Sequence, residues 1–380
     1  MSSPERLVEI LVNKGAVPVE WRETVGAVPR ELFLPETFEA EGRVVSRSRA
    51  PAQWQRYAYA DLPLTTQYND GRDAPQGAYL LPTSSSSMPS VMLEMLRLLQ
   101  AAPGHRVLEA GAGTGYNAAW LAHRLGSENV VSVEVDPVLV QQAVKNCALA
   151  GYCPAVVRGD ADRGWPDSAP YDRLLATYTV PRIPYAWIEQ VPGGRIVAPW
   201  GGSFFHASYA VLDVVDGVGR GRFHGFPAFM RTRNGRPHRG FLRDFVHHAE
   251  LAEETRTTLD PRAVLGDSDA LFHIGLALPD AWYVLVDADD GTRESTLWIL
   301  ADDRRSWASV DYVPGRDAYA VEQYGPRRLW ETVETAYGDW ALRGRPARDR
   351  YGITVTPDGR QRIWLDGEDA AVPTADGPTA

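Results

Sequence analysis

Apolar positions along the chain change their period several times. Leu7, Ile10 and Leu11 recur at helical spacing and predict a helix over residues 4–13, with a second over 20–25. Residues 27–35 are apolar but bracketed by Pro29 and Pro35, which discourage helix before them and predict a loop. Residues 57–67 read as extended. Val91, Met92, Met95, Leu96, Leu98 and Leu99 place an apolar face on a helix whose first position is Pro89. Strand-like and helix-like runs then alternate: strands at 107–110, 130–134, 155–158, 171–178, 194–199 and 208–215, helices from 117, over 137–150 and over 183–190. That alternation predicts a largely parallel sheet covered by helices on both faces. It stops at Phe223. Strands follow at 282–286, 295–300 and 306–310, then a helix over 327–342 and a hairpin turning at Pro357-Asp358-Gly359-Arg360. The expected organisation is a first domain over 1–222, an α+β domain over 223–365 whose tryptophans belong to its core, and a small acidic disordered tail over 366–380.

Composition narrows the picture. The 380 residues are 44% hydrophobic and 23% charged, ordinary for a globular chain, and the net charge of −10 argues against general nucleic-acid or anionic-membrane binding. Two cysteines, Cys147 and Cys153, make neither a disulfide framework nor a thiolate metal site, so no metal is expected. The first residues lack the basic-then-apolar run of a signal peptide, and no apolar run approaches the ~18 residues of a membrane helix, so a cytoplasmic location is expected. One segment reverses the charge. Between Asp216 and Asp244 there is no acid, while Arg220, Arg222, Arg231, Arg233, Arg236, Arg239 and Arg243 accumulate. That is either a solvated basic loop or a surface whose guanidinium forks, Arg231 and Arg233 first, hold an acidic peptide.

The chemistry concentrates at Glu109-Ala110-Gly111-Ala112-Gly113-Thr114-Gly115-Tyr116, where an apolar strand meets three alternating glycines ahead of a helix. Glycine there lets the backbone take positive φ and approach a ligand. Turn sterics alone could explain three glycines. The strand–turn–helix context and Glu134, at the end of the next strand and placed to accept from ribose hydroxyls, favour a nucleoside-bearing cofactor. The spacing is G-x-G-x-G, led by Glu109, and looks like the first motif of S-adenosylmethionine methyltransferases rather than a dinucleotide fingerprint. Asp160, after the third strand, is either a turn cap or an acceptor for an adenine amino group. The run Ser84-Ser85-Ser86-Ser87 is either a linker and helix cap or a row of hydroxyls facing the cofactor.

Taken in order, Val28 to Phe33, Ser85-Ser86-Ser87-Met88-Pro89, Val107 to Tyr116, Ser132-Val133-Glu134, Gly159-Asp160, Gly164-Trp165-Pro166 and Gln190 to Pro199 resemble protein-L-isoaspartate O-methyltransferases over about residues 5 to 215. Thr66-Gln67, the Pro82 to Pro89 run and the long C-terminal part look like a branch that tailors ribosomally made peptides, lanthipeptides and graspetides. The resemblance implies a Rossmann-like class I S-adenosylmethionine methyltransferase fold with an N-terminal helical extension and a C-terminal α+β domain. It implies S-adenosylmethionine held by Ser85, Ser86, Ser87, Met88, Glu109, Gly111, Ala112, Gly113, Gly115, Tyr116, Asn117, Glu134, Val135, Asp160, Ala161 and Thr177. Ser87 falls on the functional serine of the repair enzymes and Thr66 and Gln67 on the substrate side, to which the basic segment, beyond the stretch of resemblance, would add Arg231 and Arg233. The implied reaction is methylation of an Asp side chain in a modified, acid-rich precursor peptide, leading to succinimide. The alternative is general isoaspartate repair.

Overall fold

The protein is described by a computed structural model covering residues 3–375 other than 235 and 238. Helices α1 (Pro4–Asn13), α2 (Arg22–Ala27) and α3 (Pro51–Ala58) open the chain. Ser3 caps α1 and Pro4 begins it, while Leu7 and Leu11 are buried beneath it. Strands β1 (Thr37–Ala40), β2 (Arg43–Ser46), β3 (Leu64–Tyr68) and β4 (Pro82–Ser86) form a small antiparallel sheet in the order β2-β1-β3-β4. Two expectations change here. Tyr57 and Ala58 end α3 rather than beginning an extended run, and the serine run is a strand, not a linker or cap. Pairing with β3 buries Ser84 and Ser86, and none of the serines caps the following helix α4 (Pro89–Leu99), whose Ser90 N–H instead bonds Asp61 Oδ1 at 2.9 Å.

A nine-stranded sheet follows. Its parallel part comprises β5 (Val107–Ala110), β6 (Val130–Glu134), β7 (Ala155–Arg158), β8 (Arg173–Ala176) and β9 (Arg195–Trp200), with α5 (Tyr116–Leu125), α6 (Pro137–Leu149) and α7 (Tyr185–Gln190) in the connections. The chain runs from β5 outward to β6 and β7, then returns to place β8 and β9 on the other side. The carboxyl end of β5 is therefore the point where strand order reverses, the place where open α/β sheets bind ligands. This is the Rossmann-like class I arrangement expected.

The far side of the sheet departs from expectation. Strands β10 (Ser208–Val215) and β11 (Val218–His224) continue it antiparallel. The boundary expected at 222 thus falls inside β11. A separate five-stranded antiparallel sheet contains β12 (Glu253–Thr257), β13 (Ala281–Asp287), β14 (Ser295–Ala301), β15 (Trp307–Tyr312) and β16 (Tyr319–Tyr324), packed with α8 (Pro261–Leu265), α9 (Ser268–Ala277) and α10 (Leu329–Leu342). The last hairpin, β17 (Tyr351–Val355) and β18 (Gln361–Leu365), does not join it. Instead β17 pairs with β11, Arg222 opposite Gly352, and covers what would be an open edge. Phe272 of α9 lies 5.0–6.0 Å from the rings of Phe223, Tyr351, Phe205 and Trp200, so one core runs through both sheets. Each buried ring is worth ~1.5–3 kcal/mol, so parting the two would forfeit stabilisation comparable to a whole domain's ~5–15 kcal/mol. The tail also differs. Val372 is buried, its N–H bonds Ile363 O at 2.9 Å, and the Ala375 N–H reaches Leu276 O at 3.0 Å; residues 376–380 lie outside the described part.

Candidate active site

After β5 the backbone turns through Gly111, Gly113 and Gly115, all at positive φ (96°, 52° and 90°). The three have different reasons. A Cβ on Gly111 would stand 2.5 Å from Thr177 Oγ1, and one on Gly115 3.1 Å from Ala143, so the first admits the β8 end and the second lets α5 approach α6. Around Gly113 there is room. Gly115 does not line the cavity. Its place in the site is indirect, through the packing of α6.

Two carboxylates flank the turn in different states. Glu109 is fully buried; its oxygens accept from Ser132 Oγ and from Asn117 Nδ2, the latter at 2.7 Å. Burial pushes its pKa up to about 7, against those two donors. Glu134 accepts the Gly113 N–H at 2.9 Å and the Asp136 N–H at 3.1 Å. Burial raises its pKa too, opposed by these backbone donors and by Arg233. Glu109 yields a prediction. Its folded pKa lies above its unfolded value, so the stability it contributes is full below about pH 4.5 and lost as pH rises towards 7. The unfolding free energy of the wild type from urea curves should therefore fall relative to Glu109→Gln between pH 5 and 7.5, by on the order of 2–3 kcal/mol. Parallel curves for the two proteins would contradict it.

Opposite the turn stands the end of β4, held by Arg30. This guanidinium is wholly buried and donates to Ala60 O, Leu62 O, Ser86 O and Ser87 O at 2.9–3.0 Å, and to Ser86 Oγ at 3.0 Å. Burial lowers its pKa to about 10, so it stays charged at neutral pH. The stretch expected to be an apolar loop, which forms a short 3-10 turn at Arg30–Phe33, thus contributes the side chain that fixes the serine wall.

Between turn and wall lies a cavity of about 360 Å³. It brings together Ser85, Ser86, Ser87, Met88, Glu109, Gly111, Ala112, Gly113, Tyr116, Asn117, Glu134, Val135, Asp160, Ala161 and Thr177, with Arg231 and Arg233. Thr66 and Gln67 are not in its lining. They sit on β3, one strand away. Thr66 Oγ1 donates to Ser84 Oγ at 3.3 Å, and Gln67 Nε2 to Asp136 Oδ2 at 2.9 Å, while Gln67 Oε1 accepts from Arg233 at 3.0 Å. Their polar groups brace the wall.

Sequence reading missed the strap that closes the cavity. Residues 226–234 contribute Phe226, Phe229, Met230 and Asn234 beside the two arginines. The strap is seated on Thr179, whose N–H bonds Met230 O at 2.7 Å and whose carbonyl accepts the Thr232 N–H at 2.8 Å. Asn234 Nδ2 donates to Asp160 Oδ1 at 2.8 Å, and Arg233 reaches Asp136 Oδ2 at 3.2 Å. The apolar Phe226-Pro227-Ala228-Phe229-Met230 inside an otherwise basic segment was the available signal. It marks chain that must cover something.

Comparison with known proteins places these features. A family model described as protein-L-isoaspartate(D-aspartate) O-methyltransferase matches residues 2–207. A protein-L-isoaspartate O-methyltransferase of Methanopyrus kandleri is 36% identical over 231 residues, 60% of this chain and 89% of that one. Its counterpart in Thermococcus onnurineus is 38% identical over 229 residues, 59% and 90% of the two chains. A solved protein-L-isoaspartate O-methyltransferase superposes with a TM-score of 0.55 at 22% identity, covering 96% of this chain and 100% of its own. The fold of the C-terminal part therefore also has a counterpart in that solved structure. A glycine cradle with acids at the ends of β6 and β7 fits a nucleoside-bearing methyl donor, and the chain belongs to the protein-L-isoaspartate(D-aspartate) O-methyltransferase family of S-adenosylmethionine-dependent carboxyl methyltransferases.

Proposed function

We propose that this enzyme methylates the α-carboxylate of isoaspartyl residues in proteins and peptides, as in repair. The observation that carries it is the joining of the glycine turn and the Arg30-held Ser87 in one cavity. S-adenosylmethionine, when bound, supplies an electrophilic methyl group on a sulfonium. Glu134, Asp160 and the Gly111–Gly113 backbone would hold its nucleoside side, and Ser85 to Met88 the opposite wall. A carboxylate is already ionised at neutral pH, its ordinary pKa being ~3.9, so the protein needs no strong base. It must align the acceptor oxygen, which is catalysis by proximity and orientation. Ser87 suits that role because its hydroxyl can donate to the acceptor without taking a proton. Ser87→Ala should lower kcat on an isoaspartyl peptide by about 10–100-fold, a larger effect than on cofactor affinity. A variant with wild-type kcat would remove Ser87 from the mechanism.

A second reading keeps the chemistry and changes the acceptor: an Asp side chain in a macrocyclic ribosomal peptide, whose ester closes to succinimide. It is favoured by Ser85-Ser86-Ser87-Met88-Pro89 standing where repair enzymes read Thr-Ile-Ser-x-Pro. Turnover of a linear isoaspartyl peptide, with none of an Asp-containing macrocycle, supports repair; the reverse supports tailoring. Cys147 and Cys153 are free thiols, which suits a reducing compartment such as the cytoplasm.

A further inference from the structure

We propose that Arg231, Arg239 and Trp282 form a subsite for a second, non-reacting carboxylate of the acceptor, an Asp or Glu side chain near the residue that is methylated. This rests on the reading of the acceptor as a peptide.

The group lies where the strap meets the five-stranded module. Arg231 lines the cavity and donates through Nη1 to Ser203 Oγ, and Ser203 donates to Asp302. Arg239 Nη1 stands 4.0 Å from Asp302 Oδ1, with its guanidinium 4.9 Å over the Trp282 ring. Within this small volume Arg231 Nε, Arg239 Nη1, Trp282 Nε1, His206 Nδ1 and Asp302 Oδ1 are all buried without a hydrogen-bond partner among the described residues. Buried polar atoms are normally paired, and an unpaired donor costs ~1–3 kcal/mol, so the three N–H donors Arg231 Nε, Arg239 Nη1 and Trp282 Nε1 in one place mark a site that an accepting ligand completes.

The charges say which ligand. Burial, helped by Arg231 and Arg239, lowers His206 to about 4, so it is neutral at physiological pH. Burial also lowers Arg231, to about 10, which leaves it charged. Two guanidinium cations then face one carboxylate. The next acid, Asp280, is held bidentately by Arg327 at 2.7 and 2.9 Å. A buried surplus of positive charge is costly, and a carboxylate both neutralises it and accepts from the free donors. A carboxylate held between two guanidinium groups has its lone pairs committed and is a poor nucleophile. The group bound here is therefore not the one methylated, and its role is selection.

The test uses isoaspartyl peptides in which one Glu is moved through the positions flanking the isoaspartate, each paired with its Gln counterpart. Turnover is measured, together with calorimetric binding to the full-length enzyme carrying S-adenosylhomocysteine. At one position or more, Glu should improve kcat/KM over Gln by about 10-fold, through KM, and tighten binding alike. Arg239→Gln should abolish that preference without changing turnover of the Gln peptides. Asp302→Asn, which removes the competing acid, should enlarge it, a gain that misfolding cannot imitate. Equal kinetics and binding for every Glu/Gln pair, or a preference that survives Arg239→Gln, overturns the subsite. Glu-selective binding with no methylation at any position overturns the acceptor reading instead.

Discussion

Gly111→Ala should weaken binding of S-adenosylhomocysteine by about 100-fold or more. The expectation has two additive causes. The residue sits at φ 96°, where a side chain is strained, and the added Cβ would stand 2.5 Å from Thr177 Oγ1 and 3.0 Å from a Tyr178 ring carbon. Strain alone costs on the order of 1–3 kcal/mol. The clash cannot be relieved cheaply, since Thr177 Oγ1 donates to the Gly111 carbonyl and its N–H holds Ala110 O at 2.9 Å. Either the turn moves into the cavity or the β8 end moves away. Gly113→Ala is the control: its nearest neighbour is 3.7 Å off, so it bears the strain without the clash and should lose about 10-fold or less. Calorimetric titration of both variants reads the difference. Gly111→Ala binding within threefold of wild type would show that the turn is not the cofactor cradle.

Arg30→Met should destabilise the fold by about 3–5 kcal/mol, since each buried acceptor left without a donor costs ~1–3 kcal/mol. Four carbonyls and a hydroxyl would lose their donor at once, and two of the carbonyls belong to Ser86 and Ser87. Arg30→Lys keeps the charge but cannot reproduce the planar fork that reaches both β4 and the segment before β3. It should fold, with a kcat loss exceeding its KM change, because the serine wall is displaced rather than removed. Urea denaturation checks the first variant and steady-state kinetics the second. An Arg30→Met midpoint equal to wild type would mean that water replaces the guanidinium without cost.

These two residues differ in how visible they are beforehand. Gly111 belongs to a strand, turn and helix contiguous in sequence, and Glu134 ends the next strand, so local pattern and period sufficed for the cofactor side. Arg30 lies among apolar residues between two prolines, and nothing local shows that its acceptors stand at positions 60, 62, 86 and 87. The strap is hidden for the same reason: its charge is visible in the sequence, its seat on Thr179 and Asp160 is not. Strand β11 failed differently. No strand is expected over 218–224, yet β11 forms there, and a Cβ on Gly221 would stand 1.7 Å from Val211 O, so the glycine is what lets β10 and β11 approach. The closing hairpin was legible as a hairpin, but its partner strand was not, because that pairing spans the whole intervening module.

That pairing bears on how the chain is made. Strand β11 is synthesised long before β17, and until Tyr351–Val355 emerges the catalytic sheet keeps an open edge. Arg222 stays without the carbonyls of Asp349, Arg350 and Asp366, and the carbonyls of Ala207 and Gly225 wait for Arg348. Such late, non-local closure keeps the half-made sheet open while the intervening module is synthesised and leaves its edge prone to pairing with other chains. The strap begins one residue after Gly225, at the base of that unclosed loop. The base of the active-site roof is thus held, through the Gly225 carbonyl, by a residue translated only after the intervening module.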